Sequence, residues 1–312
     1  MLTETAYQTH TFKNGIKLIF QFNDSFVGHS AILVNAGTRD ENTDKEGLAH
    51  FIEHVLFKGT KKRKSIHILN RLEVVGGELN AYTTKEETCI HASYLTPYFE
   101  RAMELMIDIV FNAVFPPKEI IKEQEVVIDE IRTYLDTPAE QIFDDFESQV
   151  FAKHPLGSHV LGTIESVSAF TQKDISHFTK QNYTTDKMVI SVVGNYQFET
   201  VVATIEKHLH TIKATTTTVK RNAFTKYKPT QVIVKKATEQ AHFILGGKAY
   251  SFKDKQRIEL VLLNNILGGP GMNSRLNLSI REKYGYTYNI ESNYNAYSDT
   301  GIFSLYLATD KK

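Results

Sequence analysis

The sequence predicts an α+β protein of two related domains, each a mainly antiparallel sheet with helices packed on one side. Three observations lead there. Short runs of alternating apolar residues are interleaved with longer runs of helical periodicity. A stretch around residues 212–228 is rich in Thr and Lys and almost free of aliphatic side chains, so it reads as a linker. Beyond it, the order of strands and helices resembles that of the first half. The expected domains are therefore 1–211 and 229–312, the second lacking the long helices and late strand of the first and reading as incomplete.

The elements follow in order. YQTHTF alternates, Asn14-Gly15 makes a turn and IKLIFQF follows, which is the pattern of a hairpin. SAILVNAG reads as a further strand. From Gly47 to Phe57 the apolar residues Leu48, Phe51, Ile52, Val55 and Leu56 fall at helical spacing. The basic run KGTKKRK ends that helix and reads as a solvated loop. SIHILNRLEVV is a second helix, and GGELNAYTT and TCIHASYL are strands rich in β-formers. A long amphipathic helix in TPYFERAMELMIDIVFNAVF is stopped by Pro116 and Pro117. A second long helical region runs from Lys118 to Phe151. MVISVVG is a buried-type strand, and FETVVATIEKHLHTI is a helix. After the linker come strands in QVIVKKA and AHFILGGKAY, helices in RIELVLLNNIL and SRLNLSIREKY, and strands in YTYNIESNYN and GIFSLYLATD.

Composition narrows the function classes. Hydrophobic residues make up 41% and charged residues 23%, the balance of a soluble globular protein. Lys plus Arg and Asp plus Glu both total 36, so the net charge gives no reason to expect nucleic acid or an acidic membrane as a partner. The single cysteine, Cys89, excludes an internal disulfide framework. Neither a signal-peptide core nor a transmembrane run is visible, and the expected location is cytoplasmic.

The chemistry is concentrated in HFIEH. On a helix, positions i, i+3 and i+4 share a face, so His50, Glu53 and His54 project together. Two imidazoles one turn apart suit a zinc ion, and the carboxylate between them is placed to take a proton from a water whose pKa the metal lowers to about 7. The order H-x-x-E-H is the inverse of H-E-x-x-H. A third ligand is needed, because catalytic zinc sites use three protein ligands and an open position. Glu119, Glu123, Glu125, Asp129 and Glu130 are all available on the later helical region, and spacing does not choose among them.

GLAHFIEHVLFKGTKKR resembles the pitrilysin family of zinc peptidases, most closely its shorter-chain, processing-peptidase-like branch. The resemblance extends from about Tyr7 to Leu307. In EQEVVIDEI it implies Glu130 as the third ligand and Glu123 as a supporting carboxylate. RLEVVGGELNAYTTKEET is similar to the family's edge strand, along which substrate lies, and implies substrate contacts at Asn80 and Ala81. LGGPGMNSRLNLSIREKYGYTYNI is similar to a segment whose arginine and tyrosine hold substrate, here Arg281 and Tyr288. Its GGPG lacks the G-K-[ST] ending of a phosphate loop. The resemblance implies that each chain forms half of a clamshell, as a homodimer or paired with a related subunit.

The expected function is a zinc-dependent metalloendopeptidase that cleaves unfolded peptides, with Zn2+ held by His50, His54 and Glu130 and Glu53 as general base. The competing expectation is a non-catalytic scaffold or substrate-binding subunit of the same fold, against which the intact motif argues. A closed structural metal site is a third reading.

Overall fold

The computed structural model describes residues 7–217 and 219–310, so Thr218 of the expected linker lies outside the described residues. Two compact units are present. The first comprises Met1–Ile128 with Val160–Lys220, and the second Asp129–His159 with Arg221–Lys312.

In the first unit, β1 (Gln8–Thr11) and β2 (Lys17–Phe22) form the expected hairpin, with Gly15 at the left-handed φ of 93° that its turn requires. Then come β3 (Val27–Val34), α1 (Leu48–Leu56), α2 (Ser65–Glu73), β4 (Glu78–Thr83), β5 (Thr88–Leu95) and α3 (Phe99–Asn112). Helix α4 (Pro117–Leu135) opens on a proline, whose missing N–H costs nothing at a first helical position. It crosses the division between the units, and α5 (Pro138–Val150) follows in the second. The first unit resumes with α6 (Ile164–Ser168), α7 (Gln172–Asn182), β6 (Met188–Gly194) and α8 (Phe198–Leu209).

The six strands are ordered β1-β2-β6-β3-β5-β4, and only β2 and β6 run parallel. Register aligns Leu18, Ile190, Ile32 and Ile90 in one row across four strands, and all four are buried. Period-two alternation sends this row to a single face, where α3 and α8 cover it. Phe198 of α8 packs on Phe20 of β2 with ring centroids 6.0 Å apart. Burial of each such side chain stabilises the fold by about 1.5–3 kcal/mol. Among the described residues, strand β4 pairs with β5 alone and forms the outer edge of the sheet.

In the second unit, β7 (Gln240–Ala249), β9 (Gly301–Asp310) and β8 (Asn289–Ala296) form an antiparallel sheet in the order β7-β9-β8. Helix α9 (Arg257–Gly268) packs on β8. Val150, Phe151, Leu156, Phe224 and Ile302 form one apolar cluster, and the Phe143 ring of α5 packs on that of Tyr306, tilted at 44° with centroids 5.0 Å apart. Compactness thus groups α5 with 221–312, whereas the sequence expectation set it within 1–211.

Two expected elements differ. QVIVKKA is irregular, with Val232, Ile233 and Val234 exposed. Its β-formers meet no partner strand among the described residues, and propensity alone does not hold an extended segment in a ladder. SRLNLSIREKY is a short turn that widens to π geometry over Asn277–Glu282 rather than a regular helix. Gly285, at φ 61°, then turns the chain, so the last strand pair begins at Asn289 and leaves Tyr286 and Tyr288 exposed.

Candidate metal centre

Helix α1 is fastened at its first turn. Gly47 takes a left-handed φ of 87°, and its missing Cβ lets the backbone of Leu161 and Gly162 approach closely. Glycine offers no capping side chain, so Glu41 supplies the acceptors: Gly47 N–H donates to its Oε2 at 2.9 Å and Ala49 N–H to its Oε1 at 2.7 Å. Burial pushes the Glu41 carboxyl well above the usual carboxylate range, although these two N–H groups pull the other way. No pattern in the sequence singles out Glu41.

The apolar side of α1 is consumed by the core, including Phe51, whose ring lies 5.3 Å from that of Phe170. His50, Glu53 and His54 share the remaining side. The two imidazole rings sit 4.7 Å apart at 68°. Burial, and then the neighbouring His54, pull the His50 pKa down to about 4, so its imidazole is neutral at pH 7 and fit to ligate.

Helix α4 supplies the carboxylates. Glu123 is only 6% exposed. The Nδ1–H of His54 donates to its Oε2 at 3.2 Å, and the Lys58 ammonium lies 2.6 Å from its Oε1. Burial would raise the Glu123 pKa, but His54 and Lys58 outweigh it and hold the carboxyl below its ordinary value. A His whose Nδ1 is engaged in this way offers Nε2 to an ion.

Further along the same helix, Glu130 is exposed, and one ligand atom from each of His50, His54 and Glu130 lies within 4.8 Å of the other two. Two donors on a tetrahedral zinc ion stand about 3.3 Å apart. Side-chain rotation about an exposed glutamate covers the difference, and two imidazoles with one carboxylate are donors that zinc accepts. The residues therefore fit a zinc ion.

Glu53 accepts a hydrogen bond of 2.7 Å from the hydroxyl of Thr83, at the end of the edge strand β4. Asn80 and Ala81 lie on that strand, and the side-chain Oδ1 of Asn80 accepts from the Ala81 N–H at 2.8 Å. Arg281 and Tyr288 are in the second unit, where both line a cleft of about 380 Å3 together with Asn264, Asn277 and Glu291. Tyr288 is 81% exposed.

The run KGTKKRK is not simply a solvated loop. Arg63 makes a paired contact with Glu104 at 2.6 and 2.7 Å and a further one with Asp108 at 2.5 Å, while Lys58 reaches Glu123. Two of its cations, Lys58 and Arg63, thus meet carboxylates of α4 and α3. Lys58 had one local signal, its place one turn after His54, and Thr83 had only its place in the edge strand.

Comparison with known proteins gives the family and the fold. Residues 4–164 match the family model described as insulinase (peptidase family M16), and residues 169–312 match that of the peptidase M16 inactive domain. An uncharacterized zinc protease, YmxG, of Bacillus subtilis strain 168 is 32% identical over 303 residues, spanning 96% of this chain and 73% of the relative. An uncharacterized zinc protease of Rickettsia felis is 34% identical over 300 residues, spanning 95% and 72%. Among solved structures, a peptidase M16 inactive domain from Pseudomonas fluorescens superposes with a TM-score of 0.91 at 19% identity, over 98% of this chain and 74% of that one. A protease from Helicobacter pylori gives 0.89 at 24%, over 99% and 76%. These two likenesses establish the fold. With both family models matched in order along its length, the chain belongs to peptidase family M16, the insulinase/pitrilysin family.

Proposed function

We propose that the chain is a zinc-dependent metalloendopeptidase acting on unfolded peptides. His50, His54 and Glu130 would hold the ion, and the single observation that carries this reading is the convergence of their ligand atoms. Zinc, when bound, supplies Lewis acidity: it lowers the pKa of a coordinated water to about 7 and polarises a carbonyl oxygen. The names of the relatives point to the same metal.

The chain's own residues do the rest. Glu53 takes a proton from the attacking water and passes it to the leaving amine. Thr83 fixes one oxygen of that carboxylate. Glu123 orients the His54 ring. An extended peptide adds to the outer edge of β4 alongside Asn80 and Ala81, which selects substrates without their own secondary structure. Arg281 and Tyr288 hold peptide through guanidinium and phenol donors. The chain works as a pair, a homodimer or a heterodimer with a related subunit.

Metal analysis of the purified protein, joined to a digest of an unbiased peptide library with and without chelator, tests the proposal. Bound zinc and chelator-sensitive cleavage between internal residues are expected. Cleavage that persists without metal, or bound zinc with no cleavage by the assembled protein, would overturn it.

A further inference from the structure

Lys58 lies just past the end of α1, one turn beyond His54. The chain immediately after it is strapped down: Gly59 bridges to Lys64, Thr60 bridges to Ala113, and Val114 N–H donates to the Gly59 carbonyl at 2.9 Å. Thr60 and Arg63 both reach Asp108, at 2.8 and 2.5 Å. The backbone that carries Lys58 is therefore fixed to α3, and its ammonium is delivered to a defined place. That place is Oε1 of Glu123, at 2.6 Å. The other oxygen of the same carboxylate receives the Nδ1–H of His54 at 3.2 Å.

The division of oxygens matters. A glutamate has three side-chain torsions, and one contact to an imidazole would leave its carboxylate plane undetermined. Two contacts on separate oxygens determine the plane. The plane in turn sets the direction from which the His54 ring is approached, and so the direction in which Nε2 points. Charge acts in the same sense. Glu123 is buried, and a buried carboxylate deprived of its cation turns toward water when it can.

We propose that Lys58 is a positioning residue of the metal centre, which by clamping Glu123 holds His54 in its ligating orientation. This rests on the reading of His54 as a zinc ligand. The other cations of the run do not share the role: Arg63 is spent on Glu104 and Asp108, and Lys61, Lys62 and Lys64 are exposed.

The test is zinc affinity, measured by chelator competition on the full chain with zinc alone as the probe. Lys58→Met is expected to weaken zinc binding roughly 10- to 100-fold, as loss of a ligand's outer partner does elsewhere. Lys58→Arg, which keeps the charge and the reach, is expected to stay within about threefold of the parent. The unfolding midpoint of the zinc-free protein is expected to move little in either variant. Parental affinity in Lys58→Met, with affinity lost in His54→Ala, would overturn the role of Lys58 and leave the metal reading standing. Unchanged affinity in His54→Ala would overturn both. An equal loss in Lys58→Met and Lys58→Arg, with destabilised zinc-free protein, would make Lys58 structural and overturn the proposal. If Lys58→Met does not fold, Lys58→Met/Glu123→Gln removes both charges of the pair. Its zinc loss is expected to equal that of Glu123→Gln alone, and a multiplied loss would overturn the proposal.

Discussion

The hydroxyl of Thr83 donates to Oε2 of Glu53 at 2.7 Å, joining the edge strand to the helix that carries the H-x-x-E-H motif. One oxygen of the proposed general base is thereby fixed from the strand on which substrate is proposed to lie. A hydrogen bond to a charged acceptor contributes about 1.5–3 kcal/mol. Thr83→Val, which keeps the shape and removes the donor, is expected to lower kcat at least about tenfold with KM within about twofold. Thr83→Ser should restore most of the rate. Steady-state kinetics on a peptide found in the library digest decide it, and a Val variant with parental kcat would remove Thr83 from the machinery.

Glu53 shares a helix face with both histidines but stands outside the proposed ligand set of His50, His54 and Glu130. Glu53→Gln should therefore retain zinc while cleavage falls by about 10²–10⁴-fold, the range for loss of a positioned general acid–base. Metal content and rate are measured on the same sample. Loss of zinc together with activity would assign Glu53 to the ligand set instead.

At the start of α1, Gly47 adopts a φ of 87°, and a Cβ there would stand 2.6 Å from the Leu161 carbonyl oxygen. Gly47→Ala meets both a strained backbone and a backbone clash. A loss of about 1–3 kcal/mol is expected, visible as a lowered urea midpoint. Glu41→Ala removes the carboxyl group that caps the same turn and should cost about 1 kcal/mol. In each case zinc affinity should drop as well, because the proposed ligands His50 and His54 ride on the helix that has lost its anchor.

What could be read from the chain depended on how far apart the partners are in sequence. His50, Glu53 and His54 converge through helical periodicity alone, so their shared face was legible in five residues. Glu130 was not legible from spacing, because several carboxylates populate α4 and only the family resemblance distinguished it. The contacts that fix the site, Glu41 to Gly47 and Ala49, Lys58 to Glu123 and Thr83 to Glu53, come from loops and neighbouring elements that no local pattern predicts. The fold was legible where alternation and turn residues agreed, as at Asn14-Gly15. It failed at QVIVKKA, whose β-formers find no ladder, and at SRLNLSIREKY, where a helical pattern gives way to π geometry before Gly285.

The loop leading into α1 is also tied to α7, and this tie gives the protein a pH dependence of known sign. Asp174 sits at the third position of α7 and accepts from the Thr171 N–H at 2.9 Å and from its hydroxyl at 2.6 Å, while the Lys45 ammonium lies 3.2 Å away. Burial alone would raise the Asp174 pKa, but the Thr171 hydrogen bonds and Lys45 outweigh it, so the carboxyl is held below its ordinary value in the fold. A group with a depressed folded pKa stabilises the fold above its unfolded pKa, about 3.9 for Asp, and loses that contribution as pH falls through the folded value. Asp174→Asn should therefore be less stable than the parent by a constant amount from pH 7 down to about 5. The gap should then narrow below about pH 4 and close as the parent's own carboxyl becomes protonated. Urea unfolding of the two zinc-free proteins across that range measures it. A gap that is constant to the lowest pH at which the parent folds would mean that the charge of Asp174 contributes nothing, and that its hydrogen bonds to Thr171 act as those of a neutral acceptor.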